Sequence, residues 1–264
     1  MWKIDFKGKR PRLKNPILVE GLPGIGNVGK VAVDFIIDEL KATKIAEFSS
    51  FTLPHSVYVN EQNLVELPSI ELYYKKFRNR KNDLLLLAGD VQPIDEVACY
   101  EFSDKVLELA KEFNCQEIVT LGGVAMKLIP KKPKVFCTGN NKNTIQKYKQ
   151  GMENISSELY GVVGPIIGVS GVLLGLAGRK KIPAVSLLAE TYGHPLYLGV
   201  KGAKEIIRIL NKKLNLKINI NALDTEIKDI EQELGSRANE ITAAQQKALA
   251  KLRGKFGKDV SYIG

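Results

Sequence analysis

Short runs of β-branched and leucine residues alternate along the chain with stretches whose apolar positions recur every three or four residues. The runs predict strands over 17–20, 45–48, 64–67, 70–76, 84–87, 118–121, 135–138 and 184–189. The helical period predicts helices over 30–40, 95–113, 143–152 and 199–214. Leu84-Leu85-Leu86-Leu87 is continuously apolar rather than alternating, the pattern of a strand covered on both faces. The expectation is therefore a largely parallel sheet between two layers of helices, a three-layer α/β/α domain. Two close runs within 58–76 predict an antiparallel hairpin excursion on that frame.

The pattern changes after residue 219. From Leu223 onward there is no proline, and Leu223, Ile227, Ile230, Leu234 and Ile241 fall on a heptad seam. A helix over 222–253, N-capped by Asn221, would be roughly 48 Å long at 1.5 Å per residue. Residues 221–240 carry six acids and two bases, and 241–264 carry one acid and five bases, a polarity that complements the helix dipole. Gly254 and Gly257 should end that helix. The domain reading is an α/β body over 1–220, a projecting C-terminal helix over 221–253 and a flexible tail over 254–264.

Composition narrows the function classes. With 264 residues, 44% of them hydrophobic and 26% charged, the chain has the make-up of an ordinary globular protein and not of a fibrous or disordered one. Its most apolar stretch, 162–177, is broken by four glycines and a proline, so no membrane span is expected. The N-terminal MWKIDFKGKR has no apolar core of a secretory signal. Cys99, Cys115 and Cys137 are far apart, which reads as reduced thiols in a cytoplasmic protein and offers no zinc site.

Charge adds one candidate. The net charge is +10, and residues 221–264 are neutral with seven acids and seven bases, so the excess belongs to the body. It concentrates in 3–14, 75–81 and 127–149, the last without a single acid. Such a surface can attract nucleic acid or an acidic protein face. Stacking aromatics within 127–149 are limited to Phe136 and Tyr148, so nucleic-acid binding ranks last among the readings.

The densest motif is ILVEGLPGIGNVGK at 17–30, a predicted strand running into a predicted helix. Gly24, Gly26 and Gly29 match GxGxxG, and Glu47 lies 18 residues beyond, as in a dinucleotide fingerprint. The turn is lengthened by Gly21-Leu22-Pro23, however, and Lys44 precedes the candidate acid. Gly24, Gly29 and Lys30 also approximate a phosphate-binding loop, but Val31 stands where a magnesium-ligating hydroxyl is needed. The remaining reading is a tight turn and close helix–sheet packing. Packing and anion binding both stay open at this level.

The stretch from Val19 to Gly29 closely resembles the signature of the archaeal branch of the proteasome-assembly-chaperone family. Leu121-Gly122-Gly123, Gly168-Val169-Ser170-Gly171 with Leu173 and Leu174, and Ala184 to Thr191 extend the resemblance over roughly 15–215. It implies a fold similar to that of nucleoside phosphorylases, used for binding and not for catalysis. It further implies a homo-oligomer, or assembly with a related family subunit, that engages the α-ring of the proteasome core particle as chaperone homologue or ATP-independent activator. Proteasome activators resembling this family's partners end in a hydrophobic-tyrosine-X tripeptide. Here the end is Val260-Ser261-Tyr262-Ile263-Gly264, with the tyrosine one place early. Val260, Tyr262, Ile263 and Gly264 are thus the expected partner-binding residues, and no catalytic, cofactor or metal residues are expected. The alternative is a nucleoside-processing hydrolase or phosphorylase. It would use the strand-end acids Glu20, Asp90 and Glu190 with His55 and His194, although no HExxH or GxSxG motif supports it.

Overall fold

The leucine run forms the middle of a sheet. In the computed structural model, which describes residues 2–156, 164–194, 197–225 and 227, all six residues of that strand are buried. The elements in chain order are β1 (Lys3–Phe6), β2 (Ile17–Gly21), α1 (Val28–Leu40), β3 (Thr43–Ser49), β4 (Tyr58–Val59) and β5 (Val65–Glu66). There follow β6 (Ile70–Lys75), β7 (Leu84–Gly89), α2 (Glu96–Glu112), β8 (Glu117–Met126), β9 (Val135–Gly139) and α3 (Lys142–Lys149). The last are β10 (Ile155–Ser156), α4 (Val169–Arg179), β11 (Ala184–Tyr192) and α5 (Val200–Leu214). The chain divides into two units, Met1–Ile220 and Asn221–Gly264. Most of the expected projecting helix and all of the expected tail lie outside the described residues.

Among the described residues the main sheet runs β1-β3-β6-β7-β2-β8-β11-β9-β10. Its heart, β7-β2-β8-β11, is parallel. The flanks are not: β6, β3 and β1 alternate in direction on one side, and β9 runs against β11 on the other. The sheet is thus mixed, which corrects the expectation of a largely parallel one. The expected hairpin is also redrawn. It is β4 paired with β5 alone, whereas β6 joins the main sheet beside β7.

Helices cover both faces. α1 and α5 pack together on one, and α2 and α4 on the other. The α2 side holds a core in which Leu18, Leu85, Leu87 and Ile118 meet Phe102, Val106 and Leu173. Phe102 sits between Trp2 at 4.6 Å and Phe48 at 5.2 Å, ring centre to ring centre. Trp2 Nε1 donates to the Ala98 carbonyl at 3.3 Å, which ties the N-terminal strand to α2. α4 was not among the predicted helices, because its glycines lower helical propensity; packing on α2 makes up the difference.

Candidate functional site

Strands β7, β2, β8 and β11 all finish at one end of the sheet, here called the front. The antiparallel register brings the 50–69 and 127–134 links to the same end, since Ile70 lies opposite Gly89 and Val135 opposite Ala189. The glycine signature is at this end too, between β2 and α1. Its glycines serve close packing. A side chain at Gly29 would strike the Leu121 carbonyl oxygen at 2.5 Å, and one at Gly123 would strike that of Ile25 at 2.2 Å. The Gly26 carbonyl accepts from Gly199 N at 2.7 Å.

The geometry lends neither nucleotide reading support. Lys30, at the phosphate-loop position, donates to the Gly89 carbonyl at 3.1 Å and pairs with Asp34 at 3.0 Å and Asp90 at 3.4 Å. Glu47 lies on β3, separated from β2 by β6 and β7, and pairs with Lys44 at 3.1 Å and Lys7 at 3.6 Å.

Beside the glycine turn a crevice of about 530 Å³ opens between it and residues 164–168; Leu22, Ile25, Val124, Leu188, Gln92 and Ser170 contribute to its walls. Gln92 clamps the two sides together. Its Nε2 donates to the Pro23 carbonyl at 2.6 Å, and its Oε1 accepts from Val169 N at 3.1 Å. Beneath Ser170 lies Glu20, fully buried. Burial pushes its carboxyl up to about 7, against the opposing effect of the Leu22 N–H at 3.0 Å and the Ser170 hydroxyl at 2.9 Å. Thr120 is paired with Glu20 and Ser186 with Thr120, which sets three polar side chains at one level of the sheet. The Thr120 and Ser186 hydroxyls are buried without a hydrogen-bond partner in the structure.

The other strand-end acids do ordinary work. Asp90 accepts from Ser69 N at 3.3 Å and Ser69 Oγ at 3.2 Å, and Glu190 accepts from Lys134 N at 2.9 Å. Each caps a link at the front, and among the described residues no hydrogen bond joins any two of Glu20, Asp90 and Glu190. His194 stacks on Tyr192 at 5.8 Å, and His55 is exposed on the 50–69 link. Burial pushes the Cys115 thiol up to about 12 and that of Cys137 to about 11, so both stay protonated at neutral pH. Among the described residues no group of three or more His, Cys, Asp or Glu is placed to hold a metal, and no helix is long and apolar enough to cross a membrane.

The basic stretch 127–149 is not one surface. Phe136 and Tyr148 are core residues, so neither offers a face to a base. Lys147 is taken by Glu117 at 2.8 Å to both carboxylate oxygens. What remains open is the 127–134 link, together with Lys142 at the start of α3.

Sequence reasoning missed the most conspicuous property of the front end. Among the described residues, the large apolar side chains that face solvent gather there: Phe51, Val59 and Leu67 on the 50–69 link, Ile94 and Val97 around the start of α2, Leu128 after β8. Their signal was divided: Leu67 and Val97 fall inside a predicted strand and helix, while Phe51, Val59, Ile94 and Leu128 fall outside every predicted element. The expected docking residues Val260, Tyr262, Ile263 and Gly264 lie outside the described residues.

The sequence model of the PAC2 family matches residues 18–237. The crystal structure of Pyrococcus furiosus PbaB, described as an archaeal proteasome activator, superposes with a TM-score of 0.83 at 34% identity, covering 90% of this chain and 98% of that one. Pyrococcus furiosus PbaA, described as an archaeal homolog of proteasome-assembly chaperone, superposes with a TM-score of 0.73 at 23% identity over 97% of this chain and 99% of its own, a likeness of fold. An uncharacterized protein of Methanocaldococcus jannaschii is 27% identical over 252 residues, 96% of this chain and 93% of its own.

Proposed function

We propose that this chain, which belongs to the PAC2 family, is a non-catalytic, proteasome-directed binding protein that acts as an oligomer and docks through its C-terminal tail on the α-ring of the core particle. The observation that carries the proteasome-related role is the 34% identity to PbaB across 90% of this chain, at a TM-score of 0.83. That likeness favours the activator role over the chaperone role, because the likeness to PbaA is one of fold.

The docking step is supported by the sequence of the tail. Tyr262 supplies an aromatic side chain, with Val260 and Ile263 as apolar neighbours and Gly264 at the end. A single short tail of this kind binds weakly; several on one oligomer raise the effective concentration at the ring and make the attachment firm. The hydrolase alternative loses its support, since Asp90 and Glu190 are engaged in capping links and Glu20 is sealed under Ser170.

The test is co-sedimentation with proteasome core particles of the full chain and of a chain lacking Tyr262 to Gly264. The full chain should travel with the particles and stimulate hydrolysis of a small peptide substrate. The shortened chain should lose both. Undiminished binding after truncation would sink the tail as the docking element, and failure of the full chain to bind would sink the role itself.

A further inference from the structure

The front end divides into two halves of opposite charge. Over β3, β6 and β7, residues 50–69 hold two carboxylates and residues 90–104 hold five, with no lysine or arginine in either segment; of the five, Asp90 and Asp104 pair with Lys30 and Lys180, which leaves Asp95, Glu96 and Glu101. Over β8, β11 and β9, residues 127–134 hold four lysines and no acid. The hairpin is moored to the link between β7 and α2 by Tyr58, whose hydroxyl donates to the Asp90 carbonyl at 3.3 Å, which brings the two acidic segments together.

Each half also exposes apolar side chains. Ile94 and Leu67 on the acidic half are 79% and 78% exposed, and Leu128 on the basic half is 81% exposed. Glu61, Glu96 and Glu101 enter no ion pair among the described residues, nor do Lys127, Lys131 and Lys132. Monomers rarely leave apolar patches of this kind open to water. Two different patches that complement each other on one chain make a heterologous contact, which passes from copy to copy and closes into a ring where the rotation allows.

We propose that the acidic apolar half of one copy, carried by the β4–β5 hairpin and the first turns of α2, docks on the Lys127–Lys134 link of the next copy. The occupant of each half is a second copy of this chain, chosen by charge complementarity and by the apolar side chains that accompany it. The inference rests on the oligomer of the proposed function and names its surface.

The experiment uses the full chain and two charge-reversed variants, Glu96→Lys with Glu101→Lys, and Lys131→Glu with Lys132→Glu, each weighed in solution by light scattering. The wild type should run as an oligomer. Each variant should dissociate, its apparent dissociation constant raised at least about tenfold by like charges brought face to face. An equimolar mixture of the two variants should reassemble, because each reversed half then meets its complement. Unfolding temperatures close to that of the wild type would show that the exposed substitutions leave the fold intact. A wild-type oligomer whose mass neither variant alters overturns the surface and leaves the oligomer standing, as does dissociation without recovery on mixing. A monomeric wild type overturns both, while tail-dependent binding to core particles is read separately.

Discussion

The two ends of the sheet are built on different terms. At the back, where β7, β2, β8 and β11 begin, buried carboxylates are matched to donors. Asp83 accepts from Lys14 N at 2.7 Å and from Phe77 N at 2.9 Å, fastening two links that lie far apart in sequence. Glu117 accepts from Tyr148 Oη at 2.7 Å and from Lys147 at 2.8 Å. Arg80 reaches across with one nitrogen to the Leu216 carbonyl at 3.1 Å, while its Nη1 is buried without a partner in the structure. At the front, burial pushes the Glu20 carboxyl up to about 7, the Thr191 hydroxyl near the end of β11 is buried without a partner, and apolar side chains face water. Buried carboxylates that hold a fold together find their donors within the chain. Large apolar side chains open to water are commoner on contact surfaces than elsewhere, and in this chain they gather at the front.

The comparison breaks most easily at Glu117. Glu117→Ala leaves the Tyr148 hydroxyl fully buried with no acceptor, and it strips the half-exposed Lys147 of its partner. The expected loss is about 3 kcal/mol, nearly all of it from the tyrosine, because solvent screens the lysine. The equivalent truncation at the front, Glu61→Ala, removes an exposed charge and should stay within about 0.5 kcal/mol of wild type. Urea unfolding of the two variants checks this. Equal losses would mean that the ends do not differ as described.

Glu20 sharpens the contrast through pH. Its carboxyl titrates at 4.5 when unperturbed and is pushed up to about 7 in the fold. Between these values the folded chain holds a proton that the unfolded chain has released. Stability from this group therefore falls as pH rises from 4.5 to 7 and is level above that, by about 3 kcal/mol in all. Glu20→Gln keeps a hydrogen-bonding amide between Leu22 and Ser170 and cannot ionise. It should be more stable than wild type at pH 8 by about 2 kcal/mol and nearly equal to it at pH 5. Urea midpoints at the two pH values measure the difference. Parallel pH profiles for the two proteins would show that the carboxyl stays in one state throughout.

Much of this was legible in the chain itself. The run Leu84–Leu87 identified a doubly covered strand, and the 3.6-residue spacing in α2 and α5 placed helices whose apolar faces are now buried. Strand direction was harder, because a strand's side chains alternate identically whichever way it runs. The link from β6 to β7 held the clue: residues 76–83 are too few for a parallel crossover, which needs a dozen or more. β1 was hidden because its sequence KIDF reads as part of a basic arm, and only the burial of Trp2 against Phe102 reveals why it pairs with β3. At the crevice the spacing pointed to Glu20 but not to its partner. Ser170 lies 150 residues further on and arrives on α4, a helix whose glycines conceal it. The Val19–Gly29 signature was visible at once, while its use in packing depended on where β8 and β11 would lie.

The finest separation between holding the fold and presenting a surface lies at Asp95, which does both. Its Oδ1 accepts from Ala98 N at 2.9 Å and so caps α2, and its charge stands in the acidic half between exposed Ile94 and Val97. Asp95→Ala removes cap and charge together and should cost about 1 kcal/mol of stability. Asp95→Asn keeps an acceptor in the same place and loses only the charge near the helix N-terminus, so its cost should be about 0.3 kcal/mol. If the acidic half meets the lysines of a neighbouring copy, both substitutions should weaken self-association by the same small factor despite their different effects on unfolding. Measuring unfolding and mass on the same samples makes the distinction. Association that tracks the loss of the cap, being weakened by Ala and untouched by Asn, would assign Asp95 to the helix alone and remove its charge from the contact surface.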